Sequence, residues 1–164
     1  MRLQKALLFI FMLVLLSSCG KKKVENIVIL YENDVHCQVE GYSKLAALKA
    51  EYKTSNNYVG VVSVGDYIQG GSLGAISKGE YIVNLMNKVG YDALTLGNHE
   101  FDYKLDRLDE LVQMMDTKPI CCNFNKIGEE PYFESYSIVS YGDTDIAYIG
   151  VTTPNTITSS QVRP

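Results

Sequence analysis

The sequence contains only two histidines, four cysteines and no surplus of basic residues. The charge and the cysteine count each exclude a class of protein. Fifteen lysines and arginines against nineteen acidic residues give a net charge of -4 and a pI near 5.2. A nucleic-acid binder needs a basic face to displace counterions from phosphates, so we expect no nucleic-acid polymer as a partner. Four cysteines in 164 residues are too few for a scaffold held by disulfides. Because histidines are so scarce, the positions of both become informative.

A long hydrophobic run is confined to the N-terminus. Arg2 and Lys5 precede eleven consecutive apolar residues, Ala6 to Leu16. Spanning a bilayer takes about 20 apolar residues, so the run suits a cleaved signal peptide better than a permanent membrane helix. The segment that follows, Leu-Ser-Ser-Cys ending at Cys19, resembles the lipobox of bacterial lipoproteins. This resemblance implies cleavage before Cys19 and lipidation of its thiol.

We therefore predict three regions along the chain: a lipoprotein signal peptide at residues 1–18, a lipid-anchored tether at 19–25 and a folded domain at 26–164. The protein is then exported and anchored to the membrane of a bacterial cell envelope through Cys19. An uncleaved anchor, or a secreted protein with an incidental Cys19, is the alternative. The three lysines of the tether form a solvated spacer or favour an anionic lipid surface.

Beyond the tether, the apolar residues alternate between strand and helix patterns. Continuous apolar runs, typical of strands buried on both faces, predict four strands: 27–31, 58–64, 91–96 and 119–122. Helical spacing predicts three helices: one around 42–52, one around 82–89 ending at Gly90, and one around 105–115. Segments 136–141 and 146–151 form a hairpin that turns at Gly142 and Asp143. The pattern predicts an α/β fold with a largely parallel sheet closed by an antiparallel pair.

Three of the predicted strands end in short polar segments, and these segments contain both histidines. Residues 33–36 follow the first strand, 65–66 the second and 97–102 the third. In open α/β sheets, ligand sites form at the carboxyl ends of the strands. Asp34 and His36 lie two residues apart, so an extended chain would direct both side chains to one side, toward one cation.

The polar segments together favour a metal site. Carboxylate, imidazole and amide ligands suit Mn, Fe or Zn, and two such ions can bind a phosphate ester and activate a bridging water. The Asp66 carboxylate can bridge two ions, and Asn98 offers a neutral oxygen. Taken singly, each segment has a simpler explanation: Gly-Asp is a common turn, and Asp102 can cap the helix that follows it. Their joint order at three strand ends favours the metal interpretation.

The segments Asp-Val-His at 34–36, Gly-Asp at 65–66 and Gly-Asn-His-Glu at 97–100 resemble, in this order, the calcineurin-like metallophosphoesterases. The string at 97–102 is similar to the bacterial 5'-nucleotidase and 2',3'-cyclic phosphodiesterase branch. The resemblance implies an α-β-β-α layered sandwich with only its N-terminal part present. It also implies a hydrolase that cleaves nucleotide phosphate esters with two divalent ions (Mn, Zn, Fe or Mg) and a metal-activated water.

The resemblance further implies a role for each metal ligand. Asp34 and His36 would hold the first ion, Asp66 would bridge both ions, and Asn98 would bind the second. The family completes its site with later histidines, whereas this chain has none after His99. We therefore expect the chain to be the front part of an enzyme, inactive by itself. The alternative is a non-catalytic remnant that binds a metal or phosphate.

Two catalytic residues, His99 and Asp102, also follow from the resemblance. His99 would not be a metal ligand but would contact the phosphoryl oxygens, or protonate the leaving group. Asp102 would hydrogen-bond His99 and fix its tautomer. No chemical role is assigned to Glu100 or Phe101. The cysteines at 37, 121 and 122 are expected to be small buried side chains.

Overall fold

The computed structural model describes residues 26–55, 57–125 and 130–156. The predicted signal peptide 1–18 and tether 19–25, with the lipidation residue Cys19, lie outside the described residues, and so do residues 157–164. Within the described ranges, none of the helices combines the length and apolar character that crossing a membrane requires.

A three-stranded parallel sheet forms the centre of the chain. Its strands, in spatial order β1-β2-β3, are Ile27–Glu32, Tyr58–Ser63 and Ala93–Leu94. β3 is shorter than the predicted 91–96, although the N–H groups of Asp92 and Thr95 still donate to β2 carbonyls at 2.8 and 3.1 Å. Because the three strands are parallel, their carboxyl ends meet at one edge of the sheet.

Four helices connect and cover these strands: α1 (Val39–Thr54), α2 (Gly71–Ser77), α3 (Glu80–Val89) and α4 (Leu105–Met114). The three predicted helices correspond to α1, α3 and α4. Gly90 ends α3 as predicted, with a φ of 72° and an N–H that donates to the Met86 carbonyl. That left-handed conformation suits glycine, which has no Cβ.

Helix α2 is absent from the sequence-based prediction. It is seven residues long and its apolar residues Leu73 and Ile76 are exposed, so it shows no buried apolar stripe. Its Gly74 lies against the Cys37 side chain, where a Cβ would overlap the sulfur atom. The glycine there allows close packing.

The antiparallel hairpin is confirmed, but not its place in the sheet. Strands β4 (Tyr136–Tyr141) and β5 (Thr144–Ile149) pair with each other, and Gly142 turns between them with a φ of 64°. Among the described residues they form a separate two-stranded sheet. The predicted closure of the parallel sheet by this pair was therefore wrong.

The predicted strand at 119–122 is also wrong, because within 57–125 this segment forms only an isolated bridge. Its successive N–H groups donate to three different parts of the chain. Ile120 donates to Leu94, Cys121 to Glu134 and Cys122 to Gly150, at 2.9, 2.8 and 2.9 Å. A strand needs repeated hydrogen bonds to one neighbour, and here each bond goes to another segment.

The hydrophobic core lies between β2 and the helices α3 and α4. Its fully buried members include Val61, Ile82, Val83, Leu108 and Leu111. Strand β1 differs from the prediction, since it is half-buried and its Tyr31 is 74% exposed. In the described sheet β1 pairs only with β2, so it is an edge strand and not a fully covered one.

Candidate metal centre

The three polar segments meet at the carboxyl edge of the parallel sheet, as predicted. The loop after β1 is joined to the loop after β2 by backbone hydrogen bonds. The Asp34 N–H donates to the Gly65 carbonyl at 3.3 Å, and the His36 N–H donates to the Asp66 carbonyl at 3.0 Å. Parallel pairing of β1 and β2 thus continues into the loops and brings their polar side chains together.

Asp34 and His36 lie near one another, but not for the predicted reason. Their φ angles are 54° and 44°, so the segment turns toward α1 and is not extended. The expectation based on an extended chain was wrong. The turn still places Asp34 Oδ1 3.7 Å from His36 Nε2, and both side chains reach the same region of the edge.

The orientation of His36 is set by a residue that the sequence did not indicate. His36 Nδ1 lies 3.2 Å from both the backbone carbonyl oxygen and the side-chain Oε1 of Gln69. Both oxygens accept hydrogen bonds, which favours the tautomer with the proton on Nδ1. Nε2, on the Asp34 side, is then available to a metal ion.

Three side chains are close enough to share one cation. Ligand atoms of His36, Asp66 and His99 all lie within 4.8 Å of one another, and all three residues are half-buried. The His36 and His99 rings meet edge to face, with centroids 5.0 Å apart. Two imidazoles and a carboxylate fit a divalent transition metal, and this edge could therefore hold such an ion.

His99 also has a carboxylate behind it. Its Nδ1 lies 2.7 Å from Asp102 Oδ2, and this hydrogen bond raises the pKa of His99 above its usual value. The alternative that Asp102 caps the following helix is wrong, because the residue at the start of α4 is Lys104. Asp102 instead ends a 3-10 turn, His99–Phe101.

The remaining predicted ligand, Asn98, stands immediately before that turn and is half-buried. Its carbonyl accepts the Phe101 N–H at 3.4 Å, so its backbone belongs to the same turn as His99. Of the predicted ligands, the cluster within 4.8 Å contains His36 and Asp66 but not Asp34, and it includes His99, which was predicted to contact substrate and not metal. Asn98 directly precedes His99 in the chain.

Glu100, to which the sequence assigned no chemistry, is fully buried behind the loops. Its carboxylate accepts the N–H groups of Asp66, Tyr67 and Gly97 at 2.8, 2.8 and 2.7 Å. Burial raises the pKa of the Glu100 carboxyl from 4.5 to about 7, against the hydrogen bonds that favour its ionised form. A local pattern does not show that an acid is buried, although Glu100 lies in the string that carries the resemblance.

The cysteines occupy the positions expected of small buried side chains. Cys37 and Cys121 are buried, and Cys122 is half-buried. Burial raises the pKa of the Cys37 thiol to about 11, and the Glu100 charge adds to the rise. The Cys37 thiol donates to the Tyr67 carbonyl at 3.5 Å, which is a structural contact.

An α/β sheet with imidazoles and carboxylates gathered at its carboxyl edge is an arrangement that metal-dependent hydrolases use. Residues 27–162 match the family model of the calcineurin-like phosphoesterases. The chain therefore belongs to the calcineurin-like phosphoesterase family, and its α/β fold is that of the family.

Individual relatives agree with this assignment. The chain is 31% identical over 160 residues to a snake venom 5'-nucleotidase of Gloydius brevicauda, covering 84% of this chain and 27% of that protein. The calcineurin-like phosphoesterase YfkN from Bacillus subtilis has a TM-score of 0.68 at 27% identity, over 79% of this chain and 49% of the other. A 5'-nucleotidase precursor from Thermus thermophilus has a TM-score of 0.76 at 25% identity, over 83% and 30%. The chain thus spans less than half the length of each of these relatives.

Proposed function

We propose that this chain supplies the metal-binding and catalytic loops of a nucleotide phosphoesterase of the 5'-nucleotidase type. The observation that carries the proposal is the meeting of His36, Asp66 and His99 within 4.8 Å at the carboxyl edge of the sheet. Family membership and the relatives named as 5'-nucleotidases support the substrate class. The substrate is a nucleotide or a related phosphate ester.

In this proposal four side chains hold two divalent ions. Asp34 and His36 would hold one ion, Asn98 would hold the other, and Asp66 would be shared by both. His99 lies within reach of the same ions but is assigned to the substrate, because its Nδ1 is bonded to Asp102. Bound divalent ions supply Lewis-acid charge to the phosphoryl oxygens and lower the pKa of a coordinated water. The hydrogen bond from His36 Nδ1 to Gln69 holds the imidazole with Nε2 facing the site.

His99 and Asp102 act on the substrate side of the site. With Nδ1 bonded to Asp102, His99 presents Nε2 to a phosphoryl or leaving-group oxygen. The Asp102 carboxylate stabilises the imidazolium, which keeps a proton available for the departing alkoxide. The raised pKa of His99 is in the direction that this role requires.

The test uses purified protein that contains this chain, assayed with nucleoside 5'-monophosphates and with p-nitrophenyl phosphate. We expect hydrolysis that is abolished by a chelator and restored by Mn²⁺. Hydrolysis that survives chelation in full would contradict the metal proposal. Stoichiometric Mn²⁺ binding with no hydrolysis of any ester would instead establish a non-catalytic metal-binding protein.

We further propose that residues 1–18 are removed on export and that Cys19 anchors the protein to the membrane through lipid. The apolar run before Leu-Ser-Ser-Cys supports this proposal. Cys19→Ala should abolish lipid labelling and release the protein or leave its precursor. Mass spectrometry of the envelope fraction showing an intact Met1 would contradict it.

A further inference from the structure

Glu100 lies between the loops after β2 and β3, and its carboxylate accepts hydrogen bonds from backbone N–H groups of both loops. One oxygen, Oε2, accepts the N–H groups of Asp66 and Gly97 at 2.8 and 2.7 Å. The other, Oε1, accepts those of Tyr67 and Ile68 at 2.8 and 3.3 Å. Four N–H groups from the loops after β2 and β3 therefore converge on one side chain with no exposed surface.

The link between the two loops is reciprocal. While Glu100, in the loop after β3, holds the backbone of Asp66, the Asp66 side chain accepts the backbone N–H of His99 through Oδ1 at 2.9 Å. The two loops also touch directly, since a Cβ on Gly65 would overlap the backbone at Gly97. A displacement of one loop therefore moves the functional side chain of the other.

The loop after β2 has a conformation that needs such support. Asp66 has a φ of 59° and Gly65 a φ of 106°, both in the left-handed region. For a residue other than glycine, this conformation costs free energy and persists where surrounding contacts enforce it. The N–H groups of residues 66–68 that bond to Glu100 are the contacts that enforce it here.

Only a carboxylate matches this arrangement of donors. An ionised carboxylate accepts at both oxygens and donates nothing, whereas the glutamine amide carries two donors of its own. In Glu100→Gln, an NH₂ group would face two backbone N–H groups that need an acceptor. Buried N–H groups left without an acceptor are costly, so the loops would shift to find other partners.

We propose that Glu100 is a positioning residue that sets the placement of Asp66 relative to His99. It acts through the backbone of both loops and does not contact substrate. This inference rests on the proposed function for its consequence, which is the metal affinity of the site. The effect of Glu100 on the placement of the two loops does not depend on the proposed function and can be measured without any metal.

The experiment compares the purified protein that contains this chain with its Glu100→Gln variant by two measurements. Hydrogen exchange of the metal-free protein should be at least about tenfold faster at the amides of residues 66–68 and Gly97, with α3 unchanged. Mn²⁺ titration should give an affinity about 10–100-fold weaker, the usual cost of losing a residue that supports a metal ligand.

A matched control separates positioning from general loss of stability. Val83 is fully buried in α3 and has no hydrogen bond to Glu100, so Val83→Ala removes core packing and leaves the carboxylate in place. If Val83→Ala weakens Mn²⁺ binding as much as Glu100→Gln at an equal loss of Tm, the positioning role is overturned. Unchanged exchange at residues 66–68 in Glu100→Gln would overturn it as well.

Two further outcomes have a defined meaning. If Glu100→Gln does not fold, the same measurements on Glu100→Asp, which keeps the charge but shortens the reach, decide the question in the same way. If the wild-type protein that contains this chain binds no Mn²⁺ but the exchange difference is found, the proposed function fails and the role of Glu100 in placing the loops stands.

Discussion

The loop after β1 reaches the site with an exposed carboxylate, whereas the loops after β2 and β3 reach it with groups bonded to one another. The Asp34 side chain is 58% exposed, and its loop is attached to the rest of the edge by backbone hydrogen bonds. Asp66 and His99 are instead joined through Glu100 and through the Asp66–His99 hydrogen bond. Asp66 and His99 are therefore firmly placed before any ion binds, whereas the Asp34 side chain is free to adjust.

This difference corresponds to two requirements of a metal site, namely fixed positions for some groups and freedom to move for others. In the proposed function Asp66 is a bridging ligand and His99 a catalytic imidazole, and both need fixed positions because small displacements of reacting groups are expensive. A terminal carboxylate can move to meet an ion, since it makes one bond and has solvent on its other side. Substitutions in the firmly held loops should therefore have larger effects than those in the loop after β1.

The largest effect is expected from Asp66→Asn. The amide oxygen can still accept the His99 N–H, so the loops should keep their structure while one anionic oxygen is lost to the ions. We expect Mn²⁺ affinity to fall by at least about 100-fold, the upper end for a residue that only supports a ligand. Calorimetric titration measures the Mn²⁺ affinity. A smaller loss than in Asn98→Ala would contradict the bridging role.

Asp102→Asn should have the next largest effect, on turnover. A positioned general acid contributes about 10²–10⁴-fold, and we expect the loss of its orienting carboxylate to cost about 10–100-fold in kcat. The pKa of His99 should fall, because its hydrogen bond to Asp102 is the main cause of the rise. The stability gained as pH drops through the histidine range should fall with it.

Metal content and Tm should stay near wild type in Asp102→Asn, which separates the effect on His99 from damage to the metal site. Kinetics, bound metal and melting are measured on one preparation. Unchanged turnover together with an unchanged His99 titration would show that the carboxylate does not orient the imidazole.

A smaller effect, measured as a loss of folding stability, is expected from Gly65→Ala. At a φ of 106° a Cβ is strained, and it would also overlap the Gly97 backbone, so we expect a loss of more than about 1 kcal/mol. Gly41→Ala is the control, since nothing lies within 4 Å of its Cβ position in α1. That change should stabilise the chain by roughly 0.5–1 kcal/mol. Chemical denaturation compares the two.

The smallest effect on stability is expected from Asp34→Asn in the loop after β1. Its carboxylate accepts a hydrogen bond from the neighbouring Asn33 and is otherwise exposed, so the free energy of unfolding should change by less than about 0.5 kcal/mol. Mn²⁺ affinity should nevertheless fall. A large loss of stability would show that this loop is held as firmly as the other two.

The sequence predicts those parts of the fold whose signals are local. The apolar spacing from Ile82 to Val89 and the glycine after it define α3, and the alternation around Gly142 defines the hairpin. Helix α2 was missed because its apolar residues are exposed. The segment 119–122 was mistaken for a strand because an apolar run does not show which partners its N–H groups will find.

The candidate site likewise has parts that the sequence predicts and parts that depend on long-range contacts. The meeting of residues from three strand ends follows from parallel topology, and the Asp102–His99 contact follows from the resemblance. At Asp34 and His36 the backbone is left-handed, a conformation that is uncommon for residues other than glycine. The local sequence therefore did not predict this turn. The roles of Gln69 and Glu100 depend on contacts about thirty residues away in the chain, which no local pattern contains.

The separation of Glu100 from its partners has a consequence for synthesis. The four N–H groups that it accepts lie up to 34 residues before it or three residues before it in the chain. A nascent chain that has emerged only as far as the loop after β2 already carries Asp34, His36 and Asp66, but it lacks the acceptor for the N–H groups of residues 66–68. We therefore expect the loop after β2 to reach its final conformation only once residue 100 has left the ribosome and β3 has paired.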